Sequence, residues 1–126
     1  MNGDFVLDTN VIIDHLKGLE PAGRLLTKIN RPHLLASVIT RLELMSFDGL
    51  TINEERQIVK FLWHVVIVPL NDYVEQAAVK LRRREHLKVP DAIIAATALV
   101  TDSTLITTDH KLMSLQGPEL KVLTPV

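Results

Sequence analysis

Cysteine is absent from this chain of 126 residues. That excludes disulfides, thiolate metal sites and a cysteine nucleophile, and it fits a reducing cytoplasm. Glycine is sparse and scattered, at Gly3, Gly18, Gly23, Gly49 and Gly117, so no glycine-rich phosphate loop is present. Aromatic residues are few, and Phe47, Phe61 and Trp63 fall at helical apolar positions, where they read as core or dimer surface rather than as base-stacking platforms. No apolar run approaches the roughly 20 residues of a membrane span. The opening Met1-Asn2-Gly3-Asp4 lacks the basic region and long apolar stretch of a signal peptide. Neither sign of charge dominates: 14 Lys and Arg face 15 Asp and Glu. Any affinity for nucleic acid therefore has to come from local patches or from a bound metal. The histidines, His15, His33, His64, His86 and His110, show no metal-ligand spacing.

What is present is an ordinary globular composition, 47% hydrophobic and 23% charged, in a chain long enough for one core. The simplest organisation is a single domain over residues 1–126. Short apolar runs at Phe5–Leu7, Leu34–Val38, Val65–Val68, Thr104–Thr107 and Lys121–Thr124 read as strands. Helical spacing lies between them, at Val11–Leu16, from Glu20-Pro21, from Ser37 or Thr40, from Asn53, from Asn71 or Asp72, over Asp91–Val100 and around Lys111–Leu115. Asn10 reads as the cap of the first helix. The segment Asp91–Val100 is apolar nearly all round, which means burial on most sides. Strands that alternate with helices predict an α/β fold, a parallel sheet with helices on both faces.

Four acids stand at informative places. Asp8 ends the first apolar run, and Asp109 follows the fourth, after Thr107-Thr108. Glu43 lies three residues after Thr40, the spacing of a capping box, and that reading is the stronger one from spacing alone. If Ser37 is the cap instead, Glu43 lies inside the helix and is free to point at a site. Asp91 sits in the first turn of the apolar helix, where an acid complements the helix dipole. Singly, each has an ordinary role as a turn or cap residue. Together, Asp8, Glu43 and Asp109 each follow a predicted strand closely, at the edge where open α/β sheets bind ligands. Asp91 reaches that edge only if its helix bends to it. Clustered carboxylates repel one another unless a cation intervenes, and all-oxygen donors select Mg²⁺ or Mn²⁺. Such ions orient a water and stabilise charge on a phosphodiester, so hydrolysis of a nucleic-acid backbone is the natural use.

The stretches Leu7-Asp8-Thr9-Asn10, Ser37-x-x-Thr40-x-x-Glu43, Val89-Pro90-Asp91-Ala92-x-Ile94-Ala95-Ala96 and Leu105-Ile106-Thr107-Thr108-Asp109 together resemble the PIN domain. More narrowly they resemble the toxin ribonucleases of VapBC toxin–antitoxin pairs. The resemblance implies a five-stranded parallel sheet and an endoribonuclease that depends on Mg²⁺ or Mn²⁺ and uses a metal-activated water. It implies metal-binding acids at Asp8, Glu43, Asp91 and Asp109, with Asn10 and Thr107 supporting the site. It also implies RNA as substrate, frequent homodimers, and a cognate antitoxin whose segment enters the acidic site.

Other residues attract a functional reading less. Arg82, Arg83 and Arg84 point three ways on a helix that turns about 100° per residue, so a solvated face or ion pairing is the simpler account. Arg41, near Glu43, is the better phosphate contact. Ser37 has no accompanying His and Asp, which argues against a serine hydrolase. A phosphatase working through an aspartyl-phosphate on Asp8 is a rival reading, although Asn10 stands where such enzymes carry a second Asp. The non-catalytic rival is a PIN-like or receiver-like binding module whose acids anchor a partner.

Overall fold

In the computed structural model, residues 3–126 are described. Met1 and Asn2, which open the stretch read for a signal peptide, lie outside the described residues. Thirteen segments follow one another: β1 (Phe5–Leu7), α1 (Thr9–Leu16), α2 (Glu20–Thr27), a short 3-10 turn (Arg31–His33), β2 (Leu34–Ser37), α3 (Val38–Met45), α4 (Ile52–Leu62), β3 (Val66–Val68), α5 (Asp72–Glu85), α6 (Val89–Val100), β4 (Thr104–Ile106), α7 (His110–Met113) and β5 (Val122–Leu123). The five strands form one parallel sheet in the order β3-β2-β1-β4-β5.

Successive side chains of a strand point to opposite faces, and the two cores obey this. Phe5, Leu7, Leu34, Ala36 and Ile106 pack on the face covered by α1, α2 and α4. Val6, Leu35 and Leu105 pack on the other face, with α5 and α6. Burial on both faces explains why these strands read as continuous apolar runs. Helix α6 is buried from Ala92 through Ala98, as its all-round apolar sequence requires.

Several helix starts settle or shift the sequence reading, and α4 opens at Ile52 behind a Thr51 cap rather than at Asn53. The cap of α1 is Asp8, not Asn10, because the Asp8 side chain accepts from the Thr9 amide. Ser37 caps α3 by accepting from the Ile39 amide at 3.1 Å, so Val38 belongs to the helix rather than to β2. The arginine run behaves as a solvated face: Arg84 pairs with Glu85 at 2.8 Å and with Glu119 at 3.4 Å.

Candidate functional site

The sheet order turns at β1, which has β2 on one side and β4 on the other. A crevice opens at the carboxyl end of such a strand. Asp8 stands there, held from both directions. Its amide donates to the Ile106 carbonyl at 2.9 Å. Its Oδ1 accepts from the Thr9 amide at 2.8 Å, and its Oδ2 accepts from the Thr107 hydroxyl at 2.7 Å. Thr107 is fully buried, and its Oγ1 accepts from the Asp109 amide at 3.0 Å. One hydroxyl thus ties the first of the four cleft acids to the last.

Because α3 starts at Val38, Glu43 lies within the helix and not in its first turn. The capping-box reading of Thr40 and Glu43 is therefore corrected. The Thr9 hydroxyl donates to Glu43 Oε1 at 2.7 Å and lies 3.0 Å from the hydroxyl of Thr40, which is fully buried. A hydroxyl has one proton to give, so the Thr40 hydroxyl is the donor in the second bond. Asp109 caps α7, its Oδ1 accepting from the Leu112 amide at 3.0 Å. Asp91 occupies the first turn of α6. A helix that delivers the chain to the start of β4 runs against the strands, so its first turn lies at their carboxyl edge without any bend.

Asp8, Glu43, Asp91 and Asp109 line one open cleft of about 500 Å³, together with Thr9, Asn10, Ser46, Phe47 and Asp48. Asp8 is only 5% exposed. Its carboxyl is raised from 3.8 to about 6: burial pushes it up most, the bonds from Thr107 and Thr9 pull the other way, and the nearby charges of Asp91 and Asp109 add to the rise. Asp91 is also raised, by burial first and then by Asp109 and Glu43, while Lys88 and Lys111 oppose the shift. Such acids repel one another when ionised, and a cation held among them would relieve that repulsion. Among the described residues, no three carboxylates or imidazoles form a ready-made cage for an ion. Mg²⁺ keeps several waters and takes one or two carboxylates directly. The oxygen-only donor set therefore fits a hydrated hard cation better than a dehydrated one.

Asn10 is exposed in the cleft wall, and Thr107, which is buried and does not line the cleft, bonds Asp8. Arg41 is exposed on α3 and does not line the cleft. Thr9, Ser46, Phe47 and Asp48 were not legible as site residues. Asp48-Gly49 reads as a helix stop, and nothing in the sequence says that the loop after α3 folds back beside the acids.

Residues 5–117 match the PIN domain. The chain belongs to the PIN domain family. Ribonuclease VapC19 of Mycobacterium tuberculosis is 32% identical over 111 residues, which cover 82% of this PIN domain chain and 87% of the relative. Among solved structures, a toxin–antitoxin complex from Klebsiella pneumoniae aligns with a TM-score of 0.84 at 31% identity, over 98% of both chains. VapBC2 from Rickettsia felis, solved bound to a DNA fragment from its promoter, aligns with a TM-score of 0.81 over 95% of this chain and 97% of that one. At 19% identity, that second likeness shows the PIN fold alone.

Proposed function

We propose that this PIN domain, taken as residues 1–126, is a metal-dependent endoribonuclease that hydrolyses RNA phosphodiester bonds. On the same reading it is the toxin of a VapBC-type pair, with a cognate antitoxin and a homodimeric state. The observation that carries the reading is the meeting of Asp8, Glu43, Asp91 and Asp109 in one cleft. The names of its relatives, a ribonuclease VapC and a toxin–antitoxin complex, support the reaction and the partner.

The four acids are the residues that would hold Mg²⁺ or Mn²⁺. When bound, such an ion supplies positive charge for the carboxylates and Lewis acidity toward water and the phosphoryl oxygens. The chain itself supplies position. Thr107 and the Thr9 amide fix both oxygens of Asp8. The Thr9 hydroxyl and the Leu112 amide each fix one oxygen of Glu43 and Asp109. Among the described residues no protein donor takes the second oxygen of either, which leaves both for a ligand. Asn10 offers its amide in the cleft wall, and Arg41, on the outer surface of α3, would meet a phosphate farther along the strand. An apolar hollow of about 290 Å³ adjoins the cleft and shares Phe47 and Asp48 with it, so an antitoxin segment seated there would reach the acids.

Purified protein with Mg²⁺ or Mn²⁺ should cut RNA, and Asp8→Asn should not, although in the absence of metal the variant should unfold at no lower a temperature than wild type. Equal cleavage by the two proteins, or cleavage that survives chelation, would defeat the proposal.

A further inference from the structure

The walls of the cleft hold five carboxylates, those of Asp8, Glu43, Asp48, Asp91 and Asp109, and no lysine, arginine or histidine lines it among the described residues. Most proteins hold a nucleic-acid backbone by neutralising phosphates with Lys and Arg. Here the walls repel phosphate. A metal ion held by the acids would offset that repulsion at the reacting phosphate, but the nucleotides on either side would still need a contact that carries no charge.

The lining offers one apolar side chain, Phe47. Its side chain is part of a residue 49% exposed, unlike Phe61, which is 9% exposed and packs its ring 5.3 Å from the His15 ring. The chain fixes where Phe47 stands. Ser46 closes α3 by bonding the Glu43 carbonyl twice, from its amide at 3.4 Å and from its hydroxyl at 3.3 Å. Phe47 follows directly, and Gly49, at φ +75°, turns the chain away, a conformation that a side chain at that position would resist. The ring is thus anchored to the same helix turn that carries the Glu43 carboxylate.

We propose that Phe47 is the platform on which a nucleobase beside the scissile phosphate stacks. This rests on the reading of the cleft as a ribonuclease site. Every base has a π-face, so an aromatic ring without polar partners binds bases with little regard to sequence. In a duplex those faces are covered by neighbouring bases, and only an unstacked base can lie on the ring. Phe47 is a positioning residue: it holds the strand and takes no part in bond breaking. Phe47, at 49% exposed, is therefore not core, while Phe61 does belong to the core.

The test uses the full chain and a short oligoribonucleotide that carries 2-aminopurine, whose fluorescence falls on stacking. Wild type is compared with Phe47→Leu, which keeps apolar bulk against the adjoining hollow but removes the ring, and with Phe47→Trp, which restores an aromatic face. The expected result is quenching by wild type and Phe47→Trp, with affinity about tenfold weaker and quenching lost in Phe47→Leu. In cleavage with Mn²⁺, KM should rise by about the same factor in Phe47→Leu, with kcat changed less than about twofold. A fully paired duplex of the same sequence should bind more weakly than the single strand. Quenching and KM unchanged in Phe47→Leu, or equal binding of duplex and single strand, would overturn the inference and leave the ring as a wall of the apolar hollow. The two readings fail separately. A wild type that quenches through Phe47 but never cleaves defeats the nuclease and keeps the platform, whereas one that cleaves without any dependence on Phe47 does the reverse.

Discussion

Thr40-x-x-Glu43 and Thr51-x-x-Glu54 carry the same pattern and fold into opposite things. At the start of α4 the pattern is a capping box: the Glu54 amide donates to Thr51 Oγ1 and the Thr51 amide donates to Glu54 Oε1, both at 3.1 Å. In α3 the helix has already begun at Val38, so Thr40 and Glu43 lie inside it and turn toward Thr9 of α1. The box at α4 is exposed and serves the helix. The pair in α3 reaches across the domain and fixes a carboxylate in the cleft. What separates them is one serine: Ser37 satisfies the helix start and releases the threonine and the glutamate for other work.

The largest test of this contrast is electrostatic. Asp8 and Glu54 both accept a bond from an amide at a helix start, yet burial raises Asp8 to about 6 while the bonds from Thr51 lower Glu54, which is in solvent. Asp8 holds its proton more tightly in the folded chain than in the unfolded one, so stability falls as pH rises through that window. The interval from 3.8 to about 6, at about 1.4 kcal/mol per pH unit, sets a ceiling of about 3 kcal/mol. Asp91 acts in the same direction. Glu54 has the opposite sign: its contribution is present above its unfolded value and lost as pH falls through the lowered one. Thermal unfolding of the metal-free protein should shift to lower temperature between about pH 4 and pH 6.5, by Asp8's titration. Asp8→Asn should flatten that trend, and Mg²⁺ should reverse it by binding the folded, ionised form. A trend unchanged in Asp8→Asn would mean that burial does not strain this carboxylate.

Next in size is the loss of charge at matched positions. Glu43→Gln keeps an oxygen for the Thr9 hydroxyl, and Glu54→Gln keeps one for the Thr51 amide, so both variants should fold. Cleavage should fall at least about a hundredfold in Glu43→Gln, since partners one step removed from a metal already matter by about ten- to a hundredfold. Glu54→Gln should cleave like wild type. Comparable losses in both would place Glu43 outside the chemistry and erase the contrast.

Much of the layering was legible because periodicity reports burial directly. The run Phe5–Leu7 has to be buried on both faces, and it is; the segment Ala92–Ala98 has no polar face, and it is enclosed. The strand-end positions of Asp8 and Asp109 were legible for the same reason, since a run that ends in an acid marks the sheet's edge. The caps were less legible because neighbouring polar residues compete, as Asp8 does with Asn10 and Ser37 with Thr40, and the winner depends on where the last sheet bond falls. Asp91 needed the topology: only the delivery of α6 to the start of β4 puts its first turn beside Asp8. Thr9, Phe47 and Asp48 were hidden by long-range packing. Thr9 meets residues on α3 far along the chain, and the loop carrying Phe47 and Asp48 takes its path from Ser46 and Gly49, where sequence alone reads only Asp48-Gly49 as a plain stop.

The smallest effects belong to the two threonines, and they separate stability from activity most cleanly. Thr51→Val removes the oxygen that receives the Glu54 amide, and losing such a cap costs about 1 kcal/mol of stability. The unfolding midpoint should drop by a few degrees, with RNA cleavage unchanged. Thr40→Val swaps a buried hydroxyl for a methyl of similar size and deprives Thr9 Oγ1 of the donor at 3.0 Å. Thr9 can still donate to Glu43, but nothing then holds its rotamer from the far side. Cleavage at limiting Mg²⁺ should fall about tenfold and recover in part at high Mg²⁺, as expected when a carboxylate is poorly oriented rather than removed. Stability should change by about 1 kcal/mol or less, because only one hydrogen bond is exchanged for an apolar contact. If Thr40→Val behaves like Thr51→Val, losing stability and keeping its metal dependence, then both threonines serve only their own helices and the second reading of the shared pattern fails.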